Sequence, residues 1–264
     1  MQMCFKNNNP LRHCVLKKII TFTKIKYYHK MEQSIINDII TWDVVNWSKS
    51  FSFWEKNIDI KNKNYNCLEI GARQGGLSLW LALNGNQVVC SDIGYDKKPQ
   101  ELVKAKQLHE KYNCQDKITY QCINALDIPY ENEFDIVIMK STLGGVRQFF
   151  MGEPNIESRA VEQIYKCLKP DGKILFIENC SATFVHNFAR RVKYKFDNDW
   201  NYFKLKEIKP LFSDFKRIET KSVGFLGTFG RSERQRHFLG KIDNVLENVI
   251  PKKNRYIVIG YVEK

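Results

Sequence analysis

The sequence predicts an α/β fold: a doubly wound, mostly parallel seven-stranded sheet with helices on both faces, preceded by an N-terminal helical cap. Three observations predict it. From Asn66 onward, short apolar runs of strand length alternate with stretches of helical periodicity, the pattern of a parallel sheet covered by its crossover helices. A glycine-rich turn joins the first of these runs to the first helix. The 264 residues are 43% hydrophobic and 13% aromatic, enough to bury one large core without calling for two full domains.

The elements follow in order. Cys67-Leu68-Glu69-Ile70 is the first strand, and Gly71-Ala72-Arg73-Gln74-Gly75-Gly76 is the turn after it. A helix from about Gly76 to Leu83 is closed by Asn84-Gly85, which suits a helix C-terminus. Gln87 to Ser91 is the second strand, with Asp92 at its carboxyl end, and Leu102, Ala105, Leu108 and Tyr112 then recur at helical spacing. Lys117 to Cys122 and Phe134 to Met139 are the third and fourth strands. The helix lined by Ala160, Ile164 and Leu168 stops at Lys169-Pro170-Asp171-Gly172, where proline forbids continuation and Asp-Gly favours a turn. Lys173 to Glu178 is the fifth strand. A helix carrying Phe184, Phe188 and Val192 comes next, then strands at Phe215 to Val223 and Tyr256 to Val262, separated by an insertion, 224–254, rich in Gly, Arg and Lys.

The stretch from Ile35 to Asn57 holds Trp42, Trp47, Phe51, Phe53 and Trp54 and reads as two short helices, either a cap packed on the sheet or a lid over a ligand. Residues 1–30 are expected to be a disordered basic leader or an over-extended start. Residues 31–264 are the folded domain, with 31–65 as the cap and 66–264 as the core. Lys17, Lys18, Lys24 and Lys26 interrupt every apolar run of the leader, and no apolar stretch is long enough to span a bilayer, so a cytoplasmic protein without a transmembrane segment is expected.

Forty-two Lys and Arg face 29 Asp and Glu, giving a net charge of +13 that favours anionic partners. About half of that excess lies in the leader, so charge alone does not make the chain a nucleic-acid binder. None of the eight cysteines forms a CxxC pair. They read as reduced thiols, and no metal site is expected.

A glycine-rich turn between strand and helix brings backbone N–H groups to a ligand at the carboxyl edge of a sheet. The dinucleotide pattern G-x-G-x-x-G fails here, because its middle glycine would fall at Arg73. Leu68-Glu69-Ile70-Gly71-Ala72-Arg73-Gln74-Gly75-Gly76 instead resembles the first motif of class I S-adenosylmethionine-dependent methyltransferases, with Arg73 in place of one glycine. Asp92 resembles the acid that takes the ribose hydroxyls in that family, a role for which a carboxylate is the natural acceptor. Asn124-Ala125-Leu126-Asp127-Ile128-Pro129-Tyr130 is similar to the segment that meets the adenine, with Asn124 at the position that takes the amino group and Asp127 as the competing candidate, and Leu168-Lys169-Pro170-Asp171-Gly172-Lys173 is similar to the turn entering the fifth strand. The resemblance implies S-adenosylmethionine as cofactor, held by Glu69, Gly71, Ala72, Gly75, Asp92, Asn124, Ala125 and Lys140. On their own, Asp92 also suits a helix N-cap and Asn124 a turn residue. Glu69 favours a site role, since a lone acid in an apolar strand is costly.

Methyl transfer from a sulfonium is an in-line displacement, so acceptor residues belong at the carboxyl ends of the later strands. Ser141 and Thr142 are candidate substrate contacts, and Glu178 and His186 candidate catalytic groups, His186 as a general base or as a surface helix histidine. Arg231 and Arg234 of the insertion are candidates for a phosphate or carboxylate of the substrate, against the alternative of a solvated basic loop. A looser resemblance to methyltransferases of bacterial surface-polysaccharide pathways, in the runs Trp47-Ser48-Lys49-Ser50 and Lys140 to Gly145 and in the insertion, implies a sugar hydroxyl on a glycan or nucleotide-sugar precursor. The rival readings are an RNA methyltransferase, for which no RNA-binding module is seen, and a catalytically silent partner protein of the same fold.

Overall fold

The computed structural model describes residues 31–150, 152–193 and 200–264, and its compact body runs from Ile36 to Lys264. The leader therefore lies outside the described residues. In chain order the elements are α1 (Gln33–Ile40), α2 (Val44–Trp47), α3 (Lys49–Asn57), β1 (Asn66–Ile70), α4 (Gly76–Leu83), β2 (Gln87–Ser91), α5 (Pro99–Lys111), β3 (Ile118–Gln121), β4 (Phe134–Lys140), α6 (Ile156–Cys167), β5 (Leu168–Asn179), α7 (Phe184–Lys193), α8 (Leu205–Ile208), β6 (Arg217–Val223), α9 (Glu233–Leu246) and β7 (Ile257–Glu263).

The seven strands form one sheet in the order β3-β2-β1-β4-β5-β7-β6. All pairs from β3 to β5 are parallel, and β7 runs antiparallel between β5 and β6. The doubly wound sheet predicted from alternation is thus present, with seven strands. Its centre reads as continuous apolar runs because both faces are covered. Ile136 to Met139 and Ile174 to Ile177 are all fully buried. Helix α4 is buried from Leu77 to Ala82, and its Trp80 packs at a tilt against Phe51 and Trp54 of α3, at 5.1 and 5.3 Å between ring centroids.

Two local readings are refined. The turn expected at Lys169-Pro170-Asp171-Gly172 is carried inside β5, where pairing with β4 jumps from Phe134↔Leu168 to Ile136↔Lys173 and Asp171 takes φ +60°. The excess residues bulge out, so the strand starts before the turn. The insertion at 224–254 is not a loop throughout: nearly half of it is α9, started by Ser232, whose hydroxyl accepts from the Gln235 N–H.

The tryptophan-rich stretch before the sheet forms three helices and is docked. The Trp54 indole donates to the Gly260 carbonyl of β7 at 2.9 Å. Asn46 donates to Asp243 of α9 at 2.8 Å, the Tyr256 hydroxyl donates to Asp43, and Lys49 pairs with Glu247. Asp43, Asn46, Asp243 and Tyr256 are all fully buried. Burial pushes the Asp43 carboxyl up to about 8.

Candidate functional site

Every parallel strand delivers its carboxyl end to one edge of the sheet, and the turn after β1 sits at the middle of that edge. Gly71 and Gly75 hold φ of +70° and +71°, a region that glycine adopts at little cost. The turn is also pressed from outside. A Cβ on Gly71 would meet Thr142 Oγ1 at 2.7 Å, and one on Gly76 would meet the Ile39 carbonyl oxygen at 2.2 Å. Behind it, His109 Nε2 donates to the Gly75 carbonyl at 2.8 Å while Nδ1 accepts from the Tyr120 hydroxyl at 2.7 Å.

Arg73 takes φ +48°, the same left-handed region as the glycines around it. That explains how a long side chain occupies this position: the backbone keeps the glycine conformation. Its N–H donates to Asp92 Oδ2 at 2.9 Å, and the Gly94 N–H donates to Oδ1 at 2.7 Å. Asp92 is therefore not a helix N-cap. It is half-buried beside the turn, and each of its oxygens keeps a further lone pair.

Glu69 is buried in β1 and accepts from both the N–H and the hydroxyl of Ser78, the former at 2.7 Å. Burial still raises its carboxyl to about 7, and burial lowers the nearby Lys140 ammonium to about 8. Lys140 also donates to the Ile40 carbonyl at 3.2 Å. Asn124 Oδ1 accepts from the Leu126 N–H at 2.9 Å, so this residue does shape a turn, next to the buried Ala125.

On the acceptor side, Ser141 receives a hydrogen bond from Asn179 at 3.0 Å and Thr142 donates to the Ile70 carbonyl at 2.9 Å. Glu178 is fully buried at the end of β5 and accepts the N–H of Leu143 at 2.8 Å and of Gly144 at 3.4 Å. Burial lifts its carboxyl to about 7 against the pull of those donors. His186 is neither open nor on the surface. It is fully buried, donates from Nε2 to the Phe225 carbonyl at 2.8 Å, accepts at Nδ1 from Thr183 at 2.6 Å, and packs on Phe225, Phe229 and Tyr256. Both nitrogens are occupied. Arg231 and Arg234 are exposed, and Arg234 lines an open groove of about 610 Å³ with Phe229, Gln235 and Phe238.

Residues 68–176 match the family model described as a methyltransferase domain, and the match spans the turn, Asp92, Asn124 and the entry to β5. Over this segment the chain is similar to a methyltransferase domain. The fold of the whole body agrees. The Haemonchus contortus phosphoethanolamine N-methyltransferase 2, solved with phosphomonomethylethanolamine and S-adenosylhomocysteine, superposes with a TM-score of 0.58 at 18% identity, over 83% of this chain and 52% of that one. The YcgJ protein of Bacillus subtilis gives 0.54 at 14% identity, over 82% and 98%. The [4+2]-cyclase SpnF gives 0.55 at 14%, over 81% and 80%. Among curated proteins, an uncharacterized Haemophilus influenzae protein is 29% identical over 131 residues, 47% of this chain and 49% of its own length. A probable polyketide synthase 40 of Dictyostelium discoideum is 30% identical over 155 residues, 52% of this chain and 6% of that one. The chain thus spans about half the length, or less, of these curated relatives.

The body has the fold of these solved structures, and the residues at its strand ends fit S-adenosylmethionine as a ligand. Asp92 offers carboxylate lone pairs at the edge of the turn for a diol, Asn124 and Ala125 stand at the next strand end, and Glu69 and Lys140 place opposite charges beneath the turn. Three contributors escaped sequence reading: Ser78 under Glu69, His109 behind Gly75, and Trp200, whose indole closes over Gly144 and Gly145. The paired glycines were the signal for the last. Among the described residues six cysteines are free thiols, five buried and Cys122 exposed. Among the described residues no His, Cys, Asp and Glu cluster fits a metal, and no helix is long and apolar enough to cross a membrane.

Proposed function

We propose that the protein transfers a methyl group from S-adenosylmethionine to a sugar hydroxyl of an anionic glycan or nucleotide-sugar precursor. The observation that carries the reading is the half-buried Asp92 carboxylate, fixed against the turn by the N–H groups of Arg73 and Gly94. When bound, the cofactor supplies an electrophilic methyl on a sulfonium. The chain's own residues do the rest: Asp92 orients the ribose, Lys140 and Glu69 set the charge beneath the turn, and Ser141 and Thr142 line the acceptor side.

A sugar hydroxyl must lose a proton to become the nucleophile. Glu178 is the better placed of the two candidate bases. Its carboxyl sits near 7, suited to accepting a proton at neutral pH, and the Gly144 contact at 3.4 Å leaves Oε2 weakly engaged. In this reading, entry of the acceptor lifts the loop from Ser141 to Gly145 off the carboxylate. His186 holds α7 in place instead. Arg231 and Arg234 face the anionic part of the precursor.

Calorimetric titration with S-adenosylmethionine and S-adenosylhomocysteine tests the cofactor reading, with Asp92→Ala beside the wild type. Saturable binding lost in the variant supports it, and absence of binding to the wild type overturns it. Methyl transfer to a panel of anionic sugars, with and without Glu178→Gln, then tests the acceptor.

A further inference from the structure

Helix α7 is built inside out. His186 and Arg190 face the body, fully buried and 6% exposed, whereas Phe184, Val185, Phe188 and Val192 are between 59% and 81% exposed. Arg191 stands exposed at the margin of this apolar face. An amphipathic helix normally turns its apolar stripe to the core, so a face this apolar calls for an apolar partner.

Helix α9 carries a second stripe of the same character. Arg234, Phe238, Lys241 and Val245 recur at helical spacing and are all exposed, Phe238 and Val245 at 65% and 69%. The acids on α9 and just after it are all engaged. Asp243 is buried on Asn46 and the N–H groups of Leu226 and Gly227, Glu247 pairs with Lys49, and Glu233 accepts the N–H groups of Asp43 and Val44 and pairs with Arg236. The surface offered outward is cationic and apolar. Both helices pack against the turn Gly227–Phe229, and both follow strands whose carboxyl ends make the edge that carries Asp92.

We propose that these two faces dock the protein on an anionic lipid bilayer, so that the methyl acceptor is carried on a lipid; the second clause rests on the function proposed above. Basic residues at the margins of exposed phenylalanine and valine fit lipid headgroups over acyl chains. Single-stranded nucleic acid fits less well, since it rewards stacking and leaves three of the exposed α7 and α9 valines without a partner. A second copy in a twofold contact would set these cations against one another, and residues 1–30, with seven cations and no acid, would do the same.

The test is co-sedimentation of the full chain with phosphatidylcholine vesicles, with and without phosphatidylglycerol, for the wild type and for Phe184→Ser/Phe188→Ser and Lys241→Glu. The expected result is binding to the anionic vesicles alone, weakened about tenfold or more by either variant and by raised salt, with melting temperature and cofactor affinity unchanged. Because cofactor titration is read separately, failure on vesicles leaves the methyltransferase reading standing, and failure to bind cofactor leaves the docking result standing. No vesicle binding at low salt, binding indifferent to both variants, capture of a single-stranded oligonucleotide in place of vesicles, or a dimer abolished by Phe184→Ser/Phe188→Ser would each overturn the proposal.

Discussion

The backbone N–H of Arg73 donates to Asp92 Oδ2 at 2.9 Å, so the residue that departs from the glycine pattern is fastened to the acid expected to take the ribose. One carboxylate thus shapes the turn and presents itself to the ligand. Asp92→Ala removes both functions. Cofactor affinity should fall at least about tenfold, and stability by about 1–3 kcal/mol for two lost charge-assisted hydrogen bonds at a half-exposed site. Calorimetry and urea unfolding read the two losses, and unchanged stability would show that the turn holds without Asp92.

Arg73→Gly separates conformation from side chain. Left-handed backbone costs a residue with a Cβ about 1–2 kcal/mol, and glycine gives back about 0.5–1 kcal/mol through the freedom of its unfolded chain. A net gain of up to about 1 kcal/mol in denaturant unfolding is expected, with cofactor affinity retained. A clear loss of stability would mean that the guanidinium makes a contact worth more than the strain.

His186→Gln should destabilise rather than silence. Its ring fills space among Phe225, Phe229 and Tyr256, and its nitrogens satisfy Thr183 and the Phe225 carbonyl. A loss of about 1–3 kcal/mol is expected from disturbed buried hydrogen bonds, with turnover of the folded fraction within a few fold of wild type. A fall of about a hundredfold or more in turnover at unchanged stability would instead make His186 the base.

The rate of methyl transfer should rise with pH through about 7 if Glu178 accepts the proton. Glu178→Gln should remove that limb and lower the rate about 100-fold or more while cofactor binding persists; Glu178→Asp should restore part of it. A limb that survives the glutamine change would assign the proton to another group.

The share of stability contributed by buried acids should run the opposite way with pH. Asp43, Glu69 and Glu178 all have carboxyls raised in the folded state, to about 8, 7 and 7, so the native chain holds protons that the unfolded chain has released. Their contribution is complete below about pH 4 and is lost as pH rises towards 8. Buried His109 and His186, whose imidazoles burial holds below their ordinary range, act in the opposite sense. Comparison with Glu69→Gln, which keeps an oxygen for Ser78, isolates one acid: the variant's melting temperature should fall less, or rise more, from about pH 5 to pH 8 than that of the wild type, and equal slopes would refute the assignment.

What the sequence made legible was local in the chain. The strand, turn and helix from Cys67 to Leu83 announce themselves by period and by glycine, and Asp92 follows at the end of the next strand. Contacts between distant segments were not legible. Nothing near Gly75 points to His109, and nothing near Glu178 says that its oxygens will be met by the backbone of Leu143 and Gly144. Periodicity also gives a stripe without its direction: Phe184, Phe188 and Val192 mark one face of α7, and only packing shows that His186 and Arg190 turn inward instead.

The buried contacts among Asp43, Asn46, Asp243 and Tyr256 join a helix that precedes the sheet to one inserted between its last two strands. For protein engineering this makes them a single module despite some 200 intervening residues. A chimera given only 224–254 would strand Asp243 without Asn46, and one given only 36–57 would strand Asp43 without Tyr256. Acceptor preference should therefore be exchangeable between scaffolds only when both ends of the chain travel together.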